Sequence, residues 1–195
     1  MSSARCVEAL SHGIVILVHI ASIRMSGIQS QNTRDGNTGK FTRLLYAIAK
    51  YLPVRHIRKR LPDGTEAAYL ERYSIVRTPR LAIYLHHFVD RDQDEELHNH
   101  PWRAFSFVLT GSYIERRLVA GLQLAERKVS WFNSIKPELF HMITEAEPGT
   151  WTLMIRFRSS KEWGFIGGIE DGQANYRSAV QRDAEAHPAP AQHVI

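Results

Sequence analysis

Three histidines carry the chemistry that this sequence offers. His98 and His100 flank Asn99 in "EELHNHPW", and His141 stands forty-one residues past His100 in "KPELFHM". A neutral imidazole presents a ring-nitrogen lone pair that suits Fe, Zn, Cu and Ni. On a strand, residues two apart face the same side, so Glu96, His98 and His100 project together while Leu97 and Asn99 point away. In a closed antiparallel barrel, strands remote in sequence meet across the interior, which would let His141 complete a three-histidine face. A His-x-His pair alone is as readily a pair of surface or core histidines, so the reading rests on all three.

Other groups are candidates for the same site. Glu96 shares a face with His98, and Glu145 shares one with His141 if its strand runs straight. Each would be a fourth, oxygen ligand suited to Mn or Fe, a partner orienting a histidine through its other ring nitrogen, or a solvated charge at a strand end. His86 and His87 are adjacent and point to opposite faces, so one of them looks inward. It is then a hydrogen-bond partner at the site or a satisfied histidine in a half-buried strand, and His86 is the candidate. Trp102, after the turn-forming Pro101, is placed as a pocket wall. Arg103, Arg156 and Arg158 are candidate anchors for a substrate carboxylate, which a guanidinium grips bidentately. Arg156 and Arg158 would equally suit a solvated strand face.

The elements that must position these residues are short. "AAYLERYSIVRT", "RLAIYLHHFVD", "AFSFVLT", "SYIERRLV", "LQLAERKVSWF", "ELFHMITEA" and "TWTLMIRFRS" are rich in aromatic and β-branched residues and are separated by Thr78-Pro79, Gly111, Gly121 and Pro148-Gly149. That spacing predicts a mainly β antiparallel barrel or sandwich over residues 66–166. Residues 41–62 are a basic amphipathic helix region, in which Leu44, Leu45, Ile48 and Leu52 fall near helical spacing up to Pro53 and "VRHIRKRLPDG" follows. Residues 1–40 hold an apolar run and a polar linker. Residues 167–195 form a C-terminal tail with a short helix expected over 173–185 and a mobile end.

Composition narrows the function classes. The chain has 195 residues, with 44% apolar and 23% charged residues, ordinary values for a folded domain with one core. Residues 1–80 carry 13 basic and 5 acidic side chains, whereas residues 81–195 carry 12 and 15, so the net +5 belongs to the N-terminal part. The basic run at residues 55–60 lacks the interleaved aromatics of an RNA motif and is read as a solvated face rather than a nucleic-acid or acidic-membrane contact; in a regulatory protein it would instead meet nucleic acid or another protein. Cys6 is the only cysteine, which excludes an intrachain disulfide, a thiolate cluster and a Cys-x-x-Cys pair and suits a reducing cytoplasm. "GIVILVHIASI" at residues 13–23 is about half the length of a membrane span. It matches a signal h-region in length but lacks a cleavage site, and is read as a short helix or as an extension upstream of a start at Met25. Phosphate loops, a Gly-x-Ser-x-Gly elbow and a His-Glu-x-x-His helix are absent.

His98-x-His100 followed by Gly111 resembles the first motif of the cupins, and Pro137-x-x-x-His141 resembles the core of the second. The resemblance covers residues 66–166 and implies a double-stranded β-helix, or jelly roll, with a metal between His98, His100 and His141. The positions four and five after His100, where that motif carries glutamate, are Ala104 and Phe105, and the residue four after His141 is Glu145 rather than asparagine. A three-histidine site similar to that of the cupin thiol dioxygenases is therefore favoured over the four-ligand site of oxalate-degrading cupins. The resemblance implies one divalent transition metal, Fe(II) foremost with Mn, Ni or Zn as alternatives, a dioxygenase acting on a small molecule, and a homodimer. Two other readings suit the same fold. One is a non-catalytic ligand-binding or regulatory cupin, and the other is a metal-independent sugar isomerase or epimerase with a histidine base.

Overall fold

A computed structural model of the chain describes residues 34–60, 65–90 and 96–181. The apolar run at 13–23 and the Pro/Ala-rich end lie outside the described residues. Among the described residues one α-helix, α1 (Arg34–Ala49), precedes twelve strands: β1 (Val54–Arg60), β2 (Glu66–Arg77), β3 (Leu81–Phe88), β4 (Leu97–Asn99), β5 (Trp102–Thr110), β6 (Tyr113–Val119), β7 (Gln123–Val129), β8 (Phe132–Ile135), β9 (His141–Ala146), β10 (Trp151–Ser159), β11 (Gly164–Glu170) and β12 (Gln173–Ser178). They form two antiparallel six-stranded sheets, β1-β2-β3-β10-β5-β8 and β12-β11-β4-β9-β6-β7. From β3 onward the chain alternates between the sheets, apart from the β6–β7 and β11–β12 hairpins. That winding is the expected double-stranded β-helix.

The strands reach beyond 66–166 at both ends. Residues 54–60, expected within a helical region, are the edge strand β1, because Pro53 disfavours helical backbone at Leu52 and the segment pairs with β2. Gln173–Ser178, expected as helix, is β12, paired with β11 across the Asp171-Gly172 turn, where both residues have positive φ. "LQLAERKVSWF" divides at Ser130 into β7 and β8, which lie in different sheets.

Strand alternation gives the first sheet two covered faces. Outward, Val76, Ile83, Leu85, Leu109, Trp151 and Leu153 meet Leu45 and Ala49 of α1, with Phe41 alongside. Phe41, Leu45 and Ala49 are spaced four residues apart, which places this stripe on one side of the helix. His87 also faces α1: it stacks on Trp151 at 4.3 Å, its Nε2 lies 3.0 Å from the Tyr46 hydroxyl, and its Nδ1 donates to Glu71 Oε2 at 2.9 Å. Inward, Tyr84, His86 and Phe88 face the second sheet. One inner cluster gathers Tyr69, Leu70, Phe88, Val108, Tyr113, Val129 and Ala146, and another gathers Ala82, Tyr84, Ala104, Ile135 and Met154, with Trp102 against it. A cavity lies between them. The turn from β5 to β6 needs Gly111, whose φ is +69° and whose Cα sits against Thr150 so closely that a side chain would strike its hydroxyl. Among the described residues no helix is long and apolar enough to cross a membrane.

Two outcomes follow from this packing. Leu45 is fully buried, so Leu45→Ala should cost roughly 2–5 kcal/mol in urea unfolding, and a loss below about 1 kcal/mol would mean that α1 is not part of the core. Burial works to raise the Glu71 pKa, but hydrogen bonds from His87 and Tyr73 hold it below the usual value. A depressed carboxylate adds stability above its unfolded pKa of about 4.3 and loses it as pH falls through the folded value. Glu71→Gln should thus be less stable than the parent at neutral pH, with the gap closing on acidification below about pH 4. A gap that stays constant over that range would show that the ionised carboxylate adds nothing.

Candidate metal centre

The register of the second sheet brings the three histidines together. On β4, His98 lies directly opposite His141 of β9 and, on its other side, Phe165 of β11. His100 follows the end of β4 and returns to the same side as His98. One ring nitrogen from each of His98, His100 and His141 lies within 4.8 Å of the others. Ring centroids are 5.0 Å apart for His98–His100, 5.3 Å for His98–His141 and 5.0 Å for His100–His141.

Hydrogen bonds settle which nitrogens are available. His98 Nδ1 is 3.0 Å from the Glu96 carbonyl, which can only accept, so Nδ1 carries the proton and Nε2 the lone pair. His141 Nδ1 donates to Glu115 Oε1 at 2.7 Å, and His141 Nε2 is buried with no hydrogen-bond partner. His100 Nδ1 is likewise buried and unpartnered. Burial, and then the charges of His141, His98, Arg72 and His86, push the His100 pKa well below its ordinary value, so this imidazole is neutral. Orphaned ring nitrogens that converge in a protected site have the donor chemistry a divalent transition metal needs.

Glu115 organises the other side of His141. It is 0% exposed and also accepts from Arg117 Nε at 2.8 Å, Arg127 Nε at 2.9 Å and Asn133 Nδ2 at 3.0 Å. Burial works to raise its pKa, but hydrogen bonds from His141, Asn133 and Arg117 bring it down to about 2. Asn133 Nδ2 also donates to the Tyr113 hydroxyl at 2.9 Å, and burial pushes the Tyr113 pKa up to about 12.

The histidines open on the cavity, about 100 Å³ in volume, walled by Phe88, Trp102, Ile135, Ile143 and Met154 and carrying Arg72, His86, Tyr69, Tyr113 and Glu115 as polar groups. His86 is the inward member of its pair and accepts from Arg72 Nε at 3.2 Å. Trp102, in the cavity wall, stacks on His100 at 5.4 Å and meets Trp163 edge-on at 5.1 Å. Arg156 lies over the Trp102 ring, 4.9 Å from its centroid, on the inward face of β10 but outside the cavity lining. Arg103 and Arg158 are exposed and lie outside the cavity lining.

Neither carboxylate expected near the histidines joins them. Glu96 pairs with Arg177 at the surface and reaches His98 only through its backbone carbonyl. Glu145 is turned aside by a β-bulge: Ile114 pairs with Glu145 and Glu115 with Ile143, so Thr144 is the extra residue and Ala146, rather than Glu145, takes the inward position. The carboxylate at the site is Glu115, one strand away. Its alternation with Tyr113 and Arg117 puts all three on one face, but Ile114 and Leu118 made the opposite face of β6 equally apolar. Arg72 went unmarked for the same reason, in a strand where Tyr69 and Leu70 are both apolar.

No protein-family model and no curated protein matches the chain. Among solved structures, Fe(II)-HppE with the alternative substrate (S)-1-HPP is similar with 18% identity over 56% of this chain and 57% of that one, at a TM-score of 0.42. Streptomyces albus HEPD with 2-hydroxyethylphosphonate and Fe(II) bound is similar with 15% identity over 55% of this chain and 24% of that one, at 0.42. The structures of the DMSP lyases RdDddP and RnDddQII give 12% identity over 66% of this chain and 69% of theirs, at 0.48. The match thus spans little more than half of the first protein and a quarter of the second. The likeness concerns the course of the chain.

Glu115 fixes the His141 tautomer, so its removal should be felt at the donor nitrogen. Glu115→Gln should weaken Co(II) binding roughly 10- to 100-fold in competition with a chromophoric chelator. Unchanged affinity in a folded variant would restrict Glu115 to supporting the β6–β9 pairing.

Proposed function

We propose that this protein is a mononuclear metal-binding cupin and an enzyme acting on a small molecule, with His98, His100 and His141 as ligands and oxygen-dependent oxidation as its reaction. The observation that carries the reading is the buried, unpartnered Nε2 of His141, held in donor form by Glu115 and grouped with nitrogens of His98 and His100. Fe(II) is the ion that suits the proposed reaction, and Mn, Ni or Zn would fit the same donors. Three neutral imidazoles leave a divalent ion its full charge and open positions, supplying Lewis acidity and, with iron, the electron chemistry that dioxygen requires.

The chain's own residues set the conditions around that centre. Glu115 and the Glu96 carbonyl hold two imidazoles in the ligating tautomer. Trp102 and Trp163 pack against His100 and limit its rotation. Phe88, Ile135, Ile143 and Met154 keep most of the wall apolar, which strengthens electrostatic contacts inside. Tyr113, protonated at neutral pH, keeps a neutral hydroxyl on the wall.

The Glu115–His141 pair also supports a second reading, in which His141 is the general base of a metal-independent isomerase or epimerase, because a carboxylate on Nδ1 orients the ring with the lone pair of Nε2 free to accept a proton. Metal analysis separates the two. Protein purified without a histidine tag should contain close to one transition-metal ion per chain, and the His98→Ala/His141→Ala variant should contain none. The parent should consume oxygen in the presence of its substrate and stop after chelation. A parent that neither carries metal nor takes up Fe(II) would overturn the proposal, and turnover that survives chelation would replace it with the isomerase.

A further inference from the structure

The cavity holds one charge that the described residues leave unanswered. Of its two fully ionised lining groups, Glu115 is met by Arg117, Arg127, Asn133 and His141. Arg72 is not met in this way. Among the described residues no carboxylate lies within ion-pair distance of it. Its Nε donates to neutral His86 at 3.2 Å, and its guanidinium lies over Tyr84, 5.2 Å from the ring centroid. Those contacts orient the group without neutralising it. His86 and Tyr84 are themselves stacked at 5.9 Å, an interplanar angle of 15°, so the platform under Arg72 is fixed by two neighbouring β3 side chains. With Nε committed, it is the terminal edge of the guanidinium that remains to grip a planar anion. A half-buried cation without a counter-ion is costly in an apolar wall, and that cost is recovered when a ligand brings the opposite charge.

Arg72 sits on β2 of the first sheet, His98 and His141 sit on β4 and β9 of the second, and His100 lies just past β4, so the cation and the donor cluster face one cavity from opposite sides. We infer that the substrate is a small organic acid whose carboxylate is bound by Arg72 while the rest of the molecule extends toward the three histidines. This deepens the metal-enzyme reading and rests on it for the reacting centre. Arg72, rather than Arg103, Arg156 or Arg158, is then the residue that selects for charge. The site is small, which confines the acid to a few heavy atoms, and its single unanswered guanidinium selects one carboxylate.

The test is calorimetric titration of metal-loaded and metal-free full-length protein with acetate, lactate, 3-hydroxypropionate and succinate, beside acetamide and lactamide. At least one acid should bind the parent, its amide at least tenfold more weakly. Arg72→Gln should weaken the acid roughly 10- to 100-fold, with Arg72→Lys intermediate because it keeps the charge and loses the fork. Cobalt uptake by both variants should equal that of the parent. Circular dichroism establishes that each variant is folded, and if Arg72→Gln is not, the comparison of Arg72→Lys with the parent decides. The inference fails if no acid binds, if amides bind as tightly as acids, or if folded Arg72 variants bind acids as the parent does. Arg72-dependent acid binding in a protein that takes up no metal would remove the metal reading and leave this one. Metal uptake with acid binding indifferent to Arg72 would do the reverse.

Discussion

A single buried carboxylate governs much of this architecture. Glu115 is fully enclosed, and an ion in that position is tolerable only if every oxygen is engaged. The four residues that engage it come from four strands: Arg117 on β6, Arg127 on β7, Asn133 on β8 and His141 on β9. β8 belongs to the first sheet and the others to the second, so one charge ties the two layers together. It also fixes the β6–β9 register, since Arg117 pairs directly with His141. The tautomer of His141 follows from the same contact, and with it the lone pair that the buried Nε2 turns toward the other two histidines. Stability of the sandwich and availability of the donor nitrogen are thus consequences of one interaction.

The first sheet separates two tasks by strand parity. Along β3, Ile83, Leu85 and His87 face α1, and Tyr84, His86 and Phe88 face the interior. The two adjacent histidines accordingly have opposite roles. His87 is locked between Glu71, Tyr46 and Trp151 and belongs to helix docking. His86 supports Arg72 at the cavity wall. A shift of one residue in the β2–β3 register would exchange these environments, placing His87 against the cavity and exposing the Glu71 cluster. The apolar packing of Leu45 and Ala49 under α1 opposes that slip, so the helix helps position a cavity it does not touch.

Much of this was legible in the sequence because it depends on local pattern. Period-two alternation and turn residues marked the strands that carry large apolar side chains, and the same alternation paired His98 with His100 and separated His86 from His87. Edge strands were hidden: β1 contains only Val54 and Ile57 as apolar residues among five charged or titratable ones, and β12 offers only Ala174 and Tyr176, too short an alternation to mark a strand. Both owe their conformation to a neighbouring strand, and pairing partners are not encoded locally. Glu115 and Arg72 were hidden for a related reason, since their importance lies in what faces them across strands. Glu145 was misplaced because a bulge at Thr144 reverses the alternation, and no glycine or proline announces it.

The same geometry bears on the electrostatics of the histidine cluster. The sequence places Ala104 and Phe105 where a ligating glutamate would follow His100, and Ala104 is fully buried on the inward face of β5. The nearby carboxylate is instead held on the far nitrogen of His141 and answered by two arginines. Negative charge is therefore kept out of the donor set and spent on orientation. An ion bound by three neutral imidazoles, with Arg72 on the opposite wall, would sit in a cavity with excess positive charge and mostly apolar walls. Water screens such an excess poorly in so small a space, because few molecules fit and few polar groups hold them. The deficit is met most effectively by a ligand that carries its own anionic group, so the location of Glu115 outside the donor set and the unpaired state of Arg72 lead to the same chemistry from opposite sides of the cavity.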